Sequence, residues 1–576
     1  MPTEIKKEYL HLFETQSAHD AAHTRSSESY FEPWTAYTVA NKSVSYNLPP
    51  YDYSQDYLTF RALEGGTFTL TIPSNVDTTC ITSVSYSLDN GETWTTTENT
   101  SSAITITTPT VQTGDTVLWK GSGSAMGINS TNNKYSYFSS TGNYSASGNI
   151  MSLLYGDVFS GESALSVNYA FASLFKTNKL VDASNLALPA TTLADSCYTY
   201  MFYGCTGLTA APALPATTMM YGCYDAMFAG CTALTTAPVL PATTLAQYCY
   251  SNMFQGCTSL TTAPALPATT LVSQCYYHMF EGCTGLTAAP ELPATTLASN
   301  CYGYMFKGCT SLTTAPSLNV TTLASYCYEG MFRDCTSLTT APVLNATTLA
   351  NGCYASMFSG CTSLTTAPVL PATTLANSCY NNMFYGCTSL TTAPALPATT
   401  LQNSCYQSMF QSCDLLTTAP VLPSTTMKDY CYSNMFNGCT SLTTAPVLNA
   451  TTLAPNCYSN MFQGCIALTT APDLPATTMK NYCYSNMFNG CTALTTAPDL
   501  PATTLTSNCY YQMFQGCTHL NYIKAMFTTT PSTTYTKNWV YGVSATGTFV
   551  KNSAAQWNVT GVNGVPSGWT VETASE

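Results

Sequence analysis

Two histidines four residues apart, in His19-Asp-Ala-Ala-His23, form the first constellation in this 576-residue chain whose spacing suits chemistry. On a helix that spacing puts both imidazoles on one face, as in zinc sites where an intervening glutamate serves as general base. Here the glutamate's place is taken by aspartate, no third ligand is evident and the neighbourhood is polar. The expectation is an exposed polar stretch, not a metal centre. Cysteine is the larger reservoir of reactive groups, with 27 in the chain. All but Cys80 recur in pairs eight residues apart without histidine partners, which fits no zinc spacing. In an exported protein so many cysteines would suggest a disulfide framework. The opening residues Met-Pro-Thr-Glu-Ile-Lys-Lys-Glu-Tyr-Leu lack an apolar core and a cleavage site, so thiols buried in two stacked columns are expected instead. Stacking alone would bring equivalent sulfurs within bridging range.

One further motif carries a chemical association. Ser87-Leu-Asp-Asn-Gly-Glu-Thr-Trp94 fits the Asp-box pattern of sialidases, enzymes that usually hold several copies on a propeller. This chain has one copy, so the expectation is a hairpin turn over Asp89-Asn-Gly-Glu92 with Trp94 packed beneath it. No phosphate loop, nucleophile elbow or dinucleotide glycine fingerprint is present. Distant acids can still meet in space, yet the repeated part of the chain has few of them and no column. The chain therefore reads as a non-enzyme without cofactor or metal, and a glycan-active enzyme is the minor rival.

Composition narrows the partners. Lys and Arg number 16 against 29 acids, giving a net charge of −13 with no basic block, which argues against a nucleic-acid backbone as ligand. No run of 18 apolar residues exists, so no membrane insertion is expected. Only 8% of residues are charged, and the surface must be built from Thr, Ser, Asn, Gln and 40 Tyr.

What must position these groups is a repeat. Thirteen copies of a 26-residue unit run in register over 197–534; the second begins Cys223-Tyr-Asp-Ala-Met-Phe-Ala-Gly-Cys231. Such a period means a solenoid, each coil burying its apolar residues against its neighbours. In the first copy Met201, Phe202, Leu208, Leu214 and Met219 should point inward with Cys197 and Cys205. Extended pieces are expected near Leu208–Ala211 and Leu214–Met219, with the recurrent Pro212 marking a bend. The Cys-Tyr-x-x-Met-Phe-x-Gly-Cys piece has the spacing of one helical turn ended by its glycine. Residues 159–196 and 535–576 are degenerate coils that cap the array. Before them, 56–158 alternates apolar and polar residues in short runs, the pattern of a small β-sandwich, and 1–55 reads as an N-terminal arm. The fold class is thus mainly β with short helical turns: a leucine-rich-repeat-like solenoid preceded by a sandwich.

Function should lie on the solenoid surface. The tyrosine following each first cysteine, Tyr198 to Tyr510, is constant and reads as framework, its rings stacked and partly covered. Positions that vary between coils hold Tyr200, Tyr203, Tyr221, Tyr248, Tyr277, Tyr304, Tyr326 and Tyr385 among Asn, Gln and Ser. That mixture gives wide contact area at small entropic cost and suits sugar rings, so these eight are the candidate binding residues; a merely solvated face that has drifted is the alternative.

The Met-Phe-x-Gly-Cys-Thr-x-Leu core followed by Leu-Pro-x-x-x-Leu resembles the BspA-type leucine-rich repeats of bacterial surface proteins, over about 170–550. It departs from them in carrying Ala-Pro where an aliphatic strand residue is usual. The flanks, including Tyr9-Leu-His-Leu-Phe13, Tyr30-Phe-Glu-Pro-Trp34 and Asn149-Ile-Met-Ser-Leu-Leu-Tyr-Gly156, are similar to virion-associated proteins of crAss-like and related gut bacteriophages. This resemblance implies a virion fibre or decoration protein, assembled in the host cytoplasm. Its N-terminal region would hold other virion proteins, and its solenoid a host cell-surface protein or glycan. The alternative is a bacterial cell-surface adhesin. A homo-oligomer is compatible with either, although no heptads specify a trimer.

Overall fold

A computed structural model describes residues 52–574 apart from 75, 77–79, 101, 127 and 130–133, together with the backbone of Tyr37–Val39 and Lys42–Val44. The His19/His23 pair and the Glu4–Phe13 stretch lie outside the described residues. Two compact units divide the chain, Met1–Ala216 and Thr217–Glu576, with the boundary inside the repeat.

In the first unit β1 (Tyr37–Val39) and β2 (Lys42–Val44) form a hairpin. Then follow β3 (Leu58–Ala62), β4 (Phe68–Ile72), β5 (Ile81–Ser87), β6 (Thr95–Glu98), β7 (Ile104–Thr107), β8 (Thr116–Gly123), β9 (Ile128–Asn129), β10 (Lys134–Tyr135), β11 (Tyr137–Ser140), β12 (Tyr144–Asn149) and β13 (Leu180–Ala187). The alternating runs lie on β3, β4, β5, β7 and β8. Their period of two leaves Leu58, Phe60 and Ala62 buried on one side of β3, and Phe68, Leu70 and Ile72 likewise on β4. A six-stranded sheet, β13-β12-β3-β8-β5-β6, faces a three-stranded one, β11-β4-β7. Aromatic rings fill the space between them. Phe60 on β3 lies 4.9 Å from Phe138 on β11 and 5.3 Å from Phe68 on β4, and Trp119 on β8 lies 4.9 Å from Phe138.

The first coil grows out of this sandwich. β13 pairs in parallel with β12 and also bridges Ala210 of the following coil through Asp182, so the first coil's strand is covered on the side where it would otherwise be open. Phe175, at the place of the repeat's Phe, stacks between Phe138 at 5.8 Å and Phe202 at 5.4 Å.

In the second unit successive coils stack in parallel. The Cys-Tyr-x-x-Met-Phe-x-Gly-Cys piece is a ribbon of consecutive turns in which every fourth residue is left-handed, such as Gly222, Ala226 and Gly230 with φ of 55°, 50° and 76°. This geometry replaces the single glycine-ended helical turn expected from spacing. Its reason lies in the backbone bonds. Tyr224, Ala226, Phe228 and Gly230 donate to Cys249, Ser251, Met253 and Gln255 of the next coil, while Met227 and Cys231 donate back to Tyr224 and Phe228. A continuous α-helix would direct all these donors along its own axis and leave nothing to join the coils.

Side chains inside the ribbon form ladders. The constant tyrosines from Tyr224 to Tyr510 stack 5.7–6.2 Å apart with planes within 11° of parallel. The phenylalanines from Phe228 to Phe514 do so at 5.6–5.8 Å. These spacings suit offset stacking. Tyrosine covering is complete, not partial, since the rings are at most 2% exposed. The 26 repeat cysteines are fully buried, and no disulfide links any of the 27. In the second column the thiols from Cys257 to Cys517 each donate to a carbonyl of the preceding coil, as Cys257 does to Phe228 at 3.1 Å.

Across the coil from the ribbon, the Thr-Thr-Ala-Pro-x-Leu-Pro-Ala-Thr-Thr side pairs mostly through single-residue bridges such as Thr236↔Thr262 and Thr340↔Thr366. Proline supplies no donor, and longer strands do not develop. Where Lys524 replaces that proline, a four-residue strand appears: β14 (Tyr522–Ala525) pairs with β15 (Thr548–Lys551), and that with β16 (Thr570–Thr573). Trp539 closes the cap, fully buried and donating its indole N–H to Gly564.

One coil is irregular. Val320 stands where neighbouring coils bury an alanine, such as Ala268 and Ala346. Valine's two extra methyls do not fit that column. Val320 stays half-buried, Leu292, Leu297 and Leu323 lose part of their cover, and a notch of about 290 Å³ opens between 292–295 and 319–322.

Candidate binding face

The positions that vary between coils lie along the ribbon, most of them partly exposed and some, such as Ser251 and Ser433, buried, and backbone geometry limits what they hold. Tyr200, Tyr248, Tyr304 and Tyr326 occupy left-handed positions with φ between 54° and 59°. Equivalent places in other coils carry Asn, Ser, Gly, Gln, His and Ala, never a β-branched residue. Branching at Cβ makes the left-handed region costly, so part of this variation obeys the backbone rather than a ligand. Asp334 and Ser412, standing in for the third glycine of the ribbon, are left-handed as well, at 60° and 59°.

In the first unit Tyr200 and Tyr203 meet edge to face at 5.6 Å, with Lys176 Nζ within 5.7 Å and 5.1 Å of their ring centroids. In the second, Tyr221 meets Tyr248 at 5.5 Å across adjacent coils, and Tyr277 meets Tyr304 at 6.0 Å. Tyr326 and Tyr385 are exposed singly, at 39% and 40%. Tyr430 and Tyr482, equally exposed and in the column of Tyr248 and Tyr326, belong to the same face and were absent from the expected set. Writing the coils one beneath another in register would have found them.

Between Tyr277 and Arg333 the ribbon changes character. Glu281 Oε2 lies 2.5 Å from His278 Nδ1 and accepts from Gln255 at 2.7 Å, while Glu281 Oε1 accepts from Lys307 Nζ at 2.8 Å. Burial alone would raise the Glu281 pKa, but hydrogen bonds from His278 and Lys307 outweigh it and bring it down to about 2. The Tyr304 ring stacks on the His278 imidazole at 4.9 Å, and its hydroxyl donates to Glu329 at 2.8 Å. Burial, then the bond to Glu329, pushes the Tyr304 phenol up, and burial raises Glu329. Two glycines make room for these rings. A β-carbon on Gly330 would overlap Tyr304, and one on Gly303 would come within 3.0 Å of Tyr277.

The Asp-box segment folds as the expected turn. Ser87 Oγ donates to Asp89 and accepts from Gly91, Thr93 N donates to Asp89, and the Trp94 indole donates to Gly91 O at 3.1 Å. Hydrogen bonds from Thr93 and Ser87 bring the Asp89 carboxyl down to about 2. The Trp94 ring is capped by Lys120 Nζ at 4.2 Å and by Tyr57 at 5.1 Å, and Lys120 and Tyr57 both donate to Asp157. These polar groups satisfy one another, which leaves the motif a structural turn.

Buried constant residues and outward variable ones, repeated coil after coil, define a leucine-rich-repeat scaffold. The chain belongs to the BspA type leucine rich repeat family, whose model matches residues 168–313, 224–365, 332–469 and 410–540. Among solved structures it is similar to a crystal structure of a TLR13–ssRNA13 complex, at 14% identity and a TM-score of 0.20, over 66% of this chain and 45% of that one. The chain thus spans less than half of that chain's length. No curated protein matches.

Proposed function

We propose that this chain is a structural protein of a bacteriophage particle, a fibre or decoration component, that attaches to a host-surface protein or glycan through its ribbon face. It performs no catalysis in this reading. The observation that carries the attachment role is the division of labour within each coil. Within the ribbon the Cys, Tyr, Met and Phe that never change are buried in stacked ladders, and most of the residues that change are at least partly exposed on that rigid frame. The similarity of the flanking segments to virion-associated proteins supports the particle, with the N-terminal region as its anchor to other virion proteins. Mass spectrometry of purified particles should find this chain among their proteins, and the purified chain should compete with particles for adsorption to host cells. The repeat family itself favours a second reading, a bacterial cell-surface adhesin. Recovery from a membrane fraction with a processed N-terminus would establish that reading and overturn the first.

A further inference from the structure

The ribbon is chemically uneven: between the paired cysteines its charged residues gather in one place, with Asp225 apart from them. In the seven coils from Cys353 to Cys517 the varying positions between the paired cysteines hold Ser, Asn, Gln, Ala, Gly and two Tyr, with no charge, and Lys428, Asp429 and Lys480 lie outside those pairs. The three coils from Cys275 to Cys335 carry Tyr277, His278, Glu281, Tyr304, Lys307, Glu329 and Arg333 together. Glu281, Lys307 and Arg333 even follow one another in a single column. A drifting solvated surface would scatter such residues along the array. Here they are locked: Glu281 holds three donors, Tyr304 is set between the His278 ring and the Gly330 backbone, and Tyr277 meets the His278 imidazole edge to face at 4.1 Å.

We propose that these three coils are the specificity-determining subsite of the binding face and that they take a neutral oligosaccharide segment. The proposal rests on the attachment role above. Its chemistry follows from what the patch offers. Half-exposed rings at Tyr277 and Tyr304, with the His278 imidazole packed against both, give a slab on which the C–H faces of a sugar can lie. Carboxylates at Glu281 and Glu329 stand beside donors at Lys307 and Arg333, an arrangement that can both accept from and donate to vicinal hydroxyls. Glu281, Glu329 and Asp334 stand against Lys307 and Arg333, with Lys307 2.8 Å from Glu281 and Arg333 3.5 Å from Asp334, so the charges largely offset one another and give an anionic or cationic polymer little to bind. A protein partner would need a pocket for an apolar anchor, and the patch is built of phenols, imidazole and charged groups. Because its side chains are already fixed by one another, binding orders few of them, and the cost of association falls.

The test uses the full chain and an array of neutral, anionic and cationic oligosaccharides, followed by affinity measurement on the neutral binders. Tyr304→Ala and Glu281→Gln should each weaken binding about tenfold or more. Tyr137→Ala, exposed but on β11 outside the ribbon, should leave it within about twofold, and Tyr482→Ala, on the face but on a distant coil, should weaken it less than Tyr304→Ala does. Melting curves matching the parent separate lost contacts from lost folding, and Tyr304→Phe, which keeps the ring, should retain most of the affinity. Equal losses from Tyr304→Ala and Tyr482→Ala would overturn the subsite while leaving the binding face intact. Host-cell binding without any neutral glycan hit would assign the face to a protein and overturn the glycan. Failure to bind host cells at all would remove the attachment role itself.

Discussion

A thiol is only as reactive as its thiolate fraction, and this chain suppresses that fraction along two columns. Burial drives the repeat cysteines upward, to about 12 for Cys205, Cys257, Cys335 and Cys387, while neighbouring backbone groups offset little of it. At neutral pH these sulfurs act as small apolar spacers that also satisfy a carbonyl. Cys80, half-buried in the sandwich unit, is the one cysteine outside the columns. A maleimide should therefore label the native chain at Cys80 alone, and all positions only after denaturation. Counting adducts by intact mass checks this, and several adducts on the native chain would refute the buried columns.

At the scale of the element, the ribbon and the proline-broken ladder impose opposite demands. The ribbon tolerates exchange outward because its bonds are backbone bonds; in the thirteen full coils its left-handed places avoid branching, whereas Thr177 of the capping coil is left-handed at 52°. The ladder side is less forgiving, since its inward alanine column has no spare volume. Val320→Ala should relieve that crowding and close the notch at 292–295 and 319–322, raising stability by about 1 kcal/mol. A higher urea midpoint with an unchanged slope is the expected readout. A lower midpoint would mean that the valine methyls contribute more by burial than they cost by crowding.

A stack of repeats is a nearest-neighbour system, so its end matters more to the molecule than any interior coil. Trp539 lies 6.2 Å from Tyr510, 6.1 Å from Phe514 and 5.8 Å from Phe527, covering both aromatic ladders where they would otherwise meet water. Removing 535–576 would uncover those rings together with the edge of β14. Sedimentation or light scattering of the truncated chain should then show association that the full chain lacks. A monomeric, equally stable truncation would refute the capping role.

Much of this was written in the chain. The period fixed the stacking, because identical residues 26 apart can be buried only against one another, and alternation placed β3, β4, β5, β7 and β8 before any coordinates. The degenerate ends announced caps, and a Ser-x-Asp-x-Gly-x-x-Trp pattern closing on itself needs only local hydrogen bonds. The turn ribbon was not legible. Helix-like spacing of Cys197 and Met201 arises equally from turns that are left-handed at every fourth residue, and Tyr, His or Gln at those places gives no sign of it. Nor could local sequence reveal that Gln255 and Lys307 both meet Glu281, or that Gly330 admits the ring of Tyr304. Those contacts join side chains one coil apart, and the direction each takes is settled only when the backbone of the next coil is in place.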